Sequence, residues 1–350
     1  MQTRACSVTL AGGADRSVLS AASDALLPFF STREAAQSLR GVCREFRSAV
    51  ARHAWDDCKT VIKGSVAAWR ASFPRAKAAF LYWLRGNGRR AIHRTIVVVD
   101  ADFVHFEGLQ TLVMYNCHKI TDAAFVHLKG IRKLVMIGCR QTSITDAAFA
   151  NLKGIHTLDM YGCNQATITD AAFANLKGIH TLNMGGCDQD TITDAAFVHL
   201  KGIRNLTIDS CYQFTDAAFV NLMGIHTLSL EFCDQDTITD AAFASLLGIH
   251  TLSIIGCDQT TITDASFVHL VGIKMLFMDS CNQATITDTA FTHLGGIDTL
   301  SMQNCDQATI AGASFLHLVG ANEVFMAGCS AAAITAARAL DLRVVTAENR

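Results

Sequence analysis

From Ile155 to Gly178 the chain reads I-H-T-L-D-M-Y-G-C-N-Q-A-T-I-T-D-A-A-F-A-N-L-K-G. Leu158 and Met160 alternate with Thr157, Asp159 and Tyr161, a period of two that predicts a short strand with one buried face. Thr169 and Asp170 then offer side-chain oxygens to cap a helix start, where a carboxylate also suits the positive end of the helix dipole. Phe173 and Leu176 fall on one face of that helix, and Gly178 supplies the left-handed residue that ends it. The pattern recurs along the chain. Ten cysteines stand at 117, 139, 163, 187, 211, 233, 257, 281, 305 and 329, so that seven of the nine intervals are 24 residues and two are 22. The shorter units lose two residues just after the cysteine, as in C-H-K-I-T-D at Cys117 and C-Y-Q-F-T-D at Cys211. A unit this small cannot bury its own apolar face. Stacking of units into an α/β solenoid is therefore the predicted fold.

The run L-x-x-L-x-M-x-x-C-x-x-x-x-I-T-D-x-x-F-x-x-L resembles the cysteine-containing class of leucine-rich repeats. The resemblance implies a horseshoe with a parallel sheet on the concave side and helices on the convex side, and it places Ile155, Leu158, Met160 and Cys163 at buried positions. About ten units occupy residues 100–340. Asp100-Ala-Asp-Phe103 opens the array without a full consensus, and the last units lack the capping Asp, as in A-G-A-S-F at 311–315 and Ala336.

Residues 17–56 show none of this period. The stretch A-L-L-P-F-F-S-T-R-E-A-A-Q-S-L-R-G-V-C-R-E-F, from Ala25 to Phe46, reads as an apolar helix, a polar break and a second helix starting near Ser31 or Thr32. With Trp55 it resembles the latter part of an F-box, matched at Leu39, Val42, Cys43, Arg44, Phe46 and Trp55; Leu19-Ser20 stands where that family has Leu-Pro. The resemblance implies docking onto the Skp-type adaptor of a cullin ubiquitin ligase through Leu19, Leu27, Leu39, Val42, Cys43, Phe46 and Trp55. Residues 1–16 read as an N-terminal tail, 57–99 as a linking segment or one or two irregular first repeats, and 341–350 as a C-terminal tail. Within the linker, Arg85, Gly86, Gly88, Arg89 and Arg90 read as a loop.

Composition sharpens the picture. Half of the 350 residues are hydrophobic, yet Asp, Lys or His interrupts every apolar run well short of the ~20 residues of a spanning helix. No membrane partner is expected. The N-terminal stretch lacks the apolar core of a signal peptide, and 13 cysteines, an odd number, suit a reduced intracellular setting, cytoplasmic or nuclear. The formal charge of -2 hides a division: residues 1–100 hold 16 Lys and Arg against 7 Asp and Glu, leaving 13 against 24 in 101–350.

Cysteine and histidine recur in register rather than forming one constellation, and no CxxC or HExxH spacing occurs, so catalytic residues, metals and cofactors are not expected. Thiols spaced by the ~4.8 Å strand separation exceed disulfide reach and should stay free. The Phe column from 125 to 315 reads as a core spine. His156 and His180, like His226 and His250, occupy adjacent units and can form pH-sensitive pairs or a solvated ladder. The positions that do not repeat lie after the strand leucine. There Tyr115, Asp159, Tyr161, Asp209, Glu231, Ile255, Phe277, Asp279 and Phe325 project from the concave sheet and are the candidate ligand residues, with aromatic anchors and an acidic tint. A protein ligand with basic or mixed charge is expected rather than nucleic acid. The function that follows from the two resemblances is non-enzymatic: a substrate-recognition subunit of a Skp/cullin-type ligase. The alternative is a free-standing scaffold whose N-terminal helices cap the core.

Overall fold

The computed structural model describes Leu27, residues 44–56, Ile62, and residues 64–85, 92–95 and 97–346. Among them, twelve strands form one sheet whose order follows the chain, and each neighbouring pair is parallel. The sheet begins at Ala78–Phe80, continues through Thr111–Tyr115, Lys133–Ile137 and Thr157–Asp159, and closes with Glu323–Phe325 and Val344–Val345. It therefore extends beyond residues 100–340 at both ends. A separate antiparallel pair, Tyr82–Arg85 with Ile92–Thr95, stands beside it. Arg85 thus ends a strand, while Gly86, Gly88, Arg89 and Arg90 lie outside the described residues.

Register is uniform because the apolar period is uniform. Leu134, Leu158, Leu182, Leu206, Leu228, Leu252 and Leu276 pair in sequence across the sheet. All are buried, as are Ile155, Met160 and Cys163 and their equivalents, while Thr157 and Asp159 keep partial access to solvent. The Phe column is fully enclosed, from Phe125 and Phe149 to Phe315. Each of these rings contributes roughly 1.5–3 kcal/mol by leaving water. In the short unit after Cys211, Phe214 fills the place of an isoleucine and meets Phe197 edge to face at 4.8 Å.

The helices of the units are short, of about seven residues in most. Asp170–Phe173 is α-helical and Ala174–Leu176 continues as a 3-10 turn, capped by the Thr169 hydroxyl, which accepts from the Ala171 amide. Gly178, at φ +84°, then turns the chain toward the next strand, a conformation that a side chain would oppose.

The repeated aspartate behaves differently from a local cap. Asp146 Oδ1 accepts the Thr169 amide at 2.8 Å and its Oδ2 accepts the Thr169 hydroxyl at 2.7 Å, so the carboxylate of one unit binds the capping threonine of the next. The same pair recurs from Asp100 to Asp264, and the short units preserve it: Asp100 with Thr121 and Asp194 with Thr215 keep bonds of 2.6 to 2.9 Å. The two missing residues are absorbed in the turn after cysteine. Three further columns tie the units together. The Cys163 thiol donates to the Met136 carbonyl at 3.1 Å, the Gln189 amide donates to the Cys163 carbonyl at 3.3 Å, and the Thr167 hydroxyl donates to the Ile144 carbonyl at 2.7 Å.

At the N-terminal end, the helix Arg44–Arg52 leads to Trp55, whose indole N–H donates to the Val50 carbonyl at 2.8 Å. The Trp55 ring meets Phe73 edge to face, and Phe73 follows the helix Val66–Ser72 that packs on the first turn of the array. Ala49, Val50 and Trp55 thus share one core with the solenoid.

Candidate functional site

The face of the sheet away from the helices collects the positions that vary. Tyr161 stands 47% exposed, its ring lying over Gly185 and Gly186, where an added Cβ at Gly185 would come within 3.0 Å of it. Tyr115, Ile255, Phe277 and Phe325 are half-buried on the same face. Phe80 meets the Tyr115 ring edge to face at 6.1 Å. The face is therefore a row of aromatic and aliphatic plates, with Tyr161 the most accessible of these residues.

The acidic candidates are partly committed to the fold. Asp209 Oδ1 accepts the Ser229 hydroxyl at 2.5 Å and the Glu231 amide at 2.9 Å. Glu231 accepts the Ser253 hydroxyl at 2.8 Å, and Asp279 accepts the Ser301 hydroxyl and the Gln303 amide at 2.5 and 2.7 Å. Asp159 accepts the Tyr161 amide at 3.1 Å. Burial pushes the Asp159 and Asp209 carboxyls above the ordinary value, with the hydrogen bonds opposing it. These carboxylates align neighbouring strands and retain lone pairs toward solvent.

An aromatic residue outside the expected set stands at the edge of this face. Phe232 is 53% exposed and adopts φ +58°, in a turn column otherwise filled by Gly, Asn or Ser. Its ring covers Gly256. Tyr212, in the unit before, is 50% exposed. A phenylalanine held in the left-handed region with its ring in water gains little for the fold. The sequence signal was available, since Phe232 breaks a column of small and polar turn residues.

From Cys163 to Cys329 burial holds every thiol of the cysteine column above its ordinary value. All ten described cysteines are free; burial raises the thiols of Cys163, Cys211 and Cys305 to about 12, and Cys233 to about 11. Thiols at those values are poor nucleophiles and act as small apolar fillers that each donate one bond. Among the described residues no three His, Cys, Asp or Glu side chains converge as a metal site. None of the described helices is long and apolar enough to cross a membrane. What the surface offers chemically is shape and charge.

A family model described as the BspA type leucine rich repeat region matches residues 118–246 and 190–318. The chain belongs to this leucine-rich-repeat family. The repeats are of the BspA type by this match, where the sequence alone resembled the cysteine-containing class. Among curated proteins, no significant sequence relative is found. Of solved structures, a chain of the yeast Rad7 and Elc1 complex superposes with a TM-score of 0.54 at 16% identity, over 91% of this chain and 85% of that one. A chain of the Drosophila Toll–Spatzle complex superposes at 0.58 with 9% identity, over 79% of this chain; the match spans 40% of that longer chain. At these identities the likeness is one of fold. The BspA-type repeats form an α/β solenoid, a scaffold for protein binding.

Of the residues expected to meet an adaptor, Leu19, Leu39, Val42 and Cys43 lie outside the described residues. Leu27 and Trp55 are 1% and 3% exposed and belong to the continuous core, and Phe46 is partly buried against it.

Proposed function

We propose that the chain is the substrate-recognition subunit of a Skp/cullin-type ubiquitin ligase, in which the N-terminal helices dock on the adaptor and the outer sheet face holds a protein substrate. The observation that carries this reading is that Leu27, Ala49, Val50 and Trp55, from the segment whose sequence resembles an F-box, share one core with the repeats. The likeness in fold and length to a chain from the Rad7 and Elc1 complex, an assembly of two proteins by its description, supports it. The chemistry is positioning: a rigid solenoid raises the effective concentration of substrate lysines near a transferring enzyme and needs no nucleophile of its own. Tyr161, Phe277 and Phe325 act as apolar anchors, joined by Tyr115 and Ile255, while Asp159, Asp209, Glu231 and Asp279 favour a basic or mixed-charge substrate.

Affinity capture from cells with the intact chain, and with a chain lacking residues 1–56, tests the assignment. Adaptor and cullin are expected with the first bait and lost with the second; their absence from the intact bait refutes the ligase role. Substituting Tyr161, Phe277 and Phe325 with Ala should release the substrate without releasing the adaptor.

A second reading is supported by the burial of Leu27 and Trp55. Both fill the N-terminal end of the core, as residues of a helical cap would. Under that reading the chain is a free-standing interaction scaffold, deletion of residues 1–56 lowers the melting temperature of the solenoid, and no ligase component is captured.

A further inference from the structure

One long edge of the sheet carries a charge pattern that neither the core nor the outer face requires. The residue just before each strand forms a column in backbone register. The His156 amide donates to the Arg132 carbonyl, His180 to His156, Arg204 to His180, His226 to Arg204, His250 to His226 and Lys274 to His250. Seven successive units therefore present Arg132, His156, His180, Arg204, His226, His250 and Lys274 in one line. The exposed turn residue three positions earlier adds Lys129, Lys153, Lys177 and Lys201 beside the first four. No acidic side chain stands in either column between Lys129 and Lys274. Glu107 precedes the run and Asp298 follows it, so the run has two defined ends.

This clustering opposes the average, because residues 101–350 carry 13 basic against 24 acidic side chains. Between described residues, the only contact of ion-pair type is His127 Nδ1 with Glu107 at 2.7 Å, at the acidic residue that precedes the run. The Lys274 ammonium donates to the Gly296 carbonyl at 2.9 Å. The like-charged column is thus left for something else to neutralise. Two pairs of imidazoles stack face to face within it, His156 on His180 and His226 on His250, each with centroids 4.5 Å apart and planes within 14°. Each of these four Nδ1 atoms lies near the hydroxyl of the following threonine, at 3.0 to 3.2 Å, which orients the rings as a flat strip.

We propose that this edge is a second docking surface, separate from the outer sheet face, that takes an extended acidic peptide segment of a protein partner. The length fits: six steps of ~4.8 Å between units make about 29 Å, the span of about nine residues of extended chain at ~3.3 Å each. The width fits as well. Asp159, Asp209, Glu231 and Asp279 lie a few residues along the same strands, so a broad polyanion such as a duplex or an anionic membrane would meet them as well as the bases. A single narrow chain meets the bases alone. Charge complementarity over such a strip sets partner choice and speeds encounter.

The histidines make the surface responsive to proton concentration. The charged groups around them are Arg132, Lys133, Arg204 and Lys274 in the adjoining strand positions, Lys153, Lys177 and Lys201 in the preceding turns, and Asp159 on the sheet face. Partial burial, then the His250 and Arg204 charges, hold the His226 imidazole below its usual value. The His250 charge opposes protonation of His226, and a bound row of carboxylates relieves that repulsion. Acidification through the imidazole range therefore adds positive charge while glutamates stay ionised, and binding strengthens.

The test uses the full chain and a fluorescein-labelled oligoglutamate of about nine residues, followed by fluorescence anisotropy at low salt. Binding is expected to weaken at least about tenfold when Arg132→Glu and Arg204→Glu are combined, because each reversal turns an attraction into a repulsion. Arg338→Glu, on the last helix, and the Tyr161, Phe277 and Phe325 alanine variants should leave it unchanged. Affinity should rise several-fold from about pH 7.5 to about pH 6, and the combined replacement of His156, His180, His226 and His250 by Gln should flatten that rise. Equal binding by the charge-reversed variant, with its circular dichroism unaltered, overturns the proposal. Tighter retention of a duplex oligonucleotide, or of vesicles containing anionic lipid, than of the peptide also overturns it.

Discussion

Replacing Asp216 by Ala removes one rung of the aspartate–threonine ladder at the middle of the array. The carboxylate accepts the Thr239 amide at 2.8 Å and the Thr239 hydroxyl at 2.7 Å, and that hydroxyl caps the next helix by accepting the Ala241 amide at 3.2 Å. Hydrogen bonds to a charged group contribute about 1.5–3 kcal/mol each, and the partly accessible Thr239 recovers some of that from water. A loss of about 2–4 kcal/mol is expected. Asp216→Asn keeps an acceptor for one of the two bonds and should lose roughly half as much. The exposed Asp234, replaced by Ala, should change stability by less than about 0.5 kcal/mol. In a solenoid, stability is a sum of unit and interface terms, so weakening one central interface uncouples the two sides. The three tryptophans are Trp55, Trp69 and Trp83, all on the N-terminal side of this interface. Urea unfolding followed by both tryptophan fluorescence and far-ultraviolet circular dichroism should coincide in the wild type and separate in Asp216→Ala. In the variant, the dichroism is lost at lower urea than the fluorescence changes. If Asp216→Ala is no less stable than Asp234→Ala, the ladder is not what joins the units.

Phe232→Asn should stabilise the fold by up to about 1 kcal/mol, since a residue tolerant of positive φ replaces one that is not, and denaturant melts would detect it. Gly256→Ala should destabilise strongly, because the new Cβ would lie 2.6 Å from the Phe232 ring at a φ of +67°; adding Phe232→Ala should recover the steric part and leave a conformational cost of about 1 kcal/mol. For Asp209, whose carboxyl is raised by burial above 3.8, the folded state binds its proton more tightly than the unfolded state. Wild-type stability relative to Asp209→Asn should therefore fall as pH rises through and above that value, and parallel melts across the acid range would show a flatter profile for the variant. The buried thiols from Cys163 to Cys305 should resist iodoacetamide in mild alkali and react once unfolded in urea, as mass spectrometry of the alkylated peptides would report.

The strand and the core were legible because each depends on a period within one unit: Leu158 and Met160 alternate, and Phe173 and Leu176 share a helix face. What lay between units was not. Asp170 reads locally as the cap of its own helix, but its oxygens accept from the amide and hydroxyl of Thr193 in the next unit. Gln189 carries no apolar or capping signature, yet it is buried because its amide finds the Cys163 carbonyl of the preceding unit. The turn lysines stop at Lys201, and the same position then carries the exposed Met223, Leu247, Val271 and Val319. On the sheet face, Tyr161 was legible as an exposed aromatic. The half-burial of Phe277 and Phe325 depends on neighbouring side chains that a single unit does not reveal.

The aspartate–threonine links from Asp100 to Asp264 join equivalent atoms of adjacent units, whether the connecting turn is of full or shortened length. Excision of one whole unit, or insertion of another, would let each carboxylate find a threonine, each thiol a carbonyl and each amide of the basic column a partner. The gene is thus free to lengthen or shorten by unequal crossing-over without unfolding its product. Each such event slides the unrepeated surface residues past one another and composes a new recognition surface in a single step, which gives this architecture a route to new partners that point substitution alone would traverse slowly.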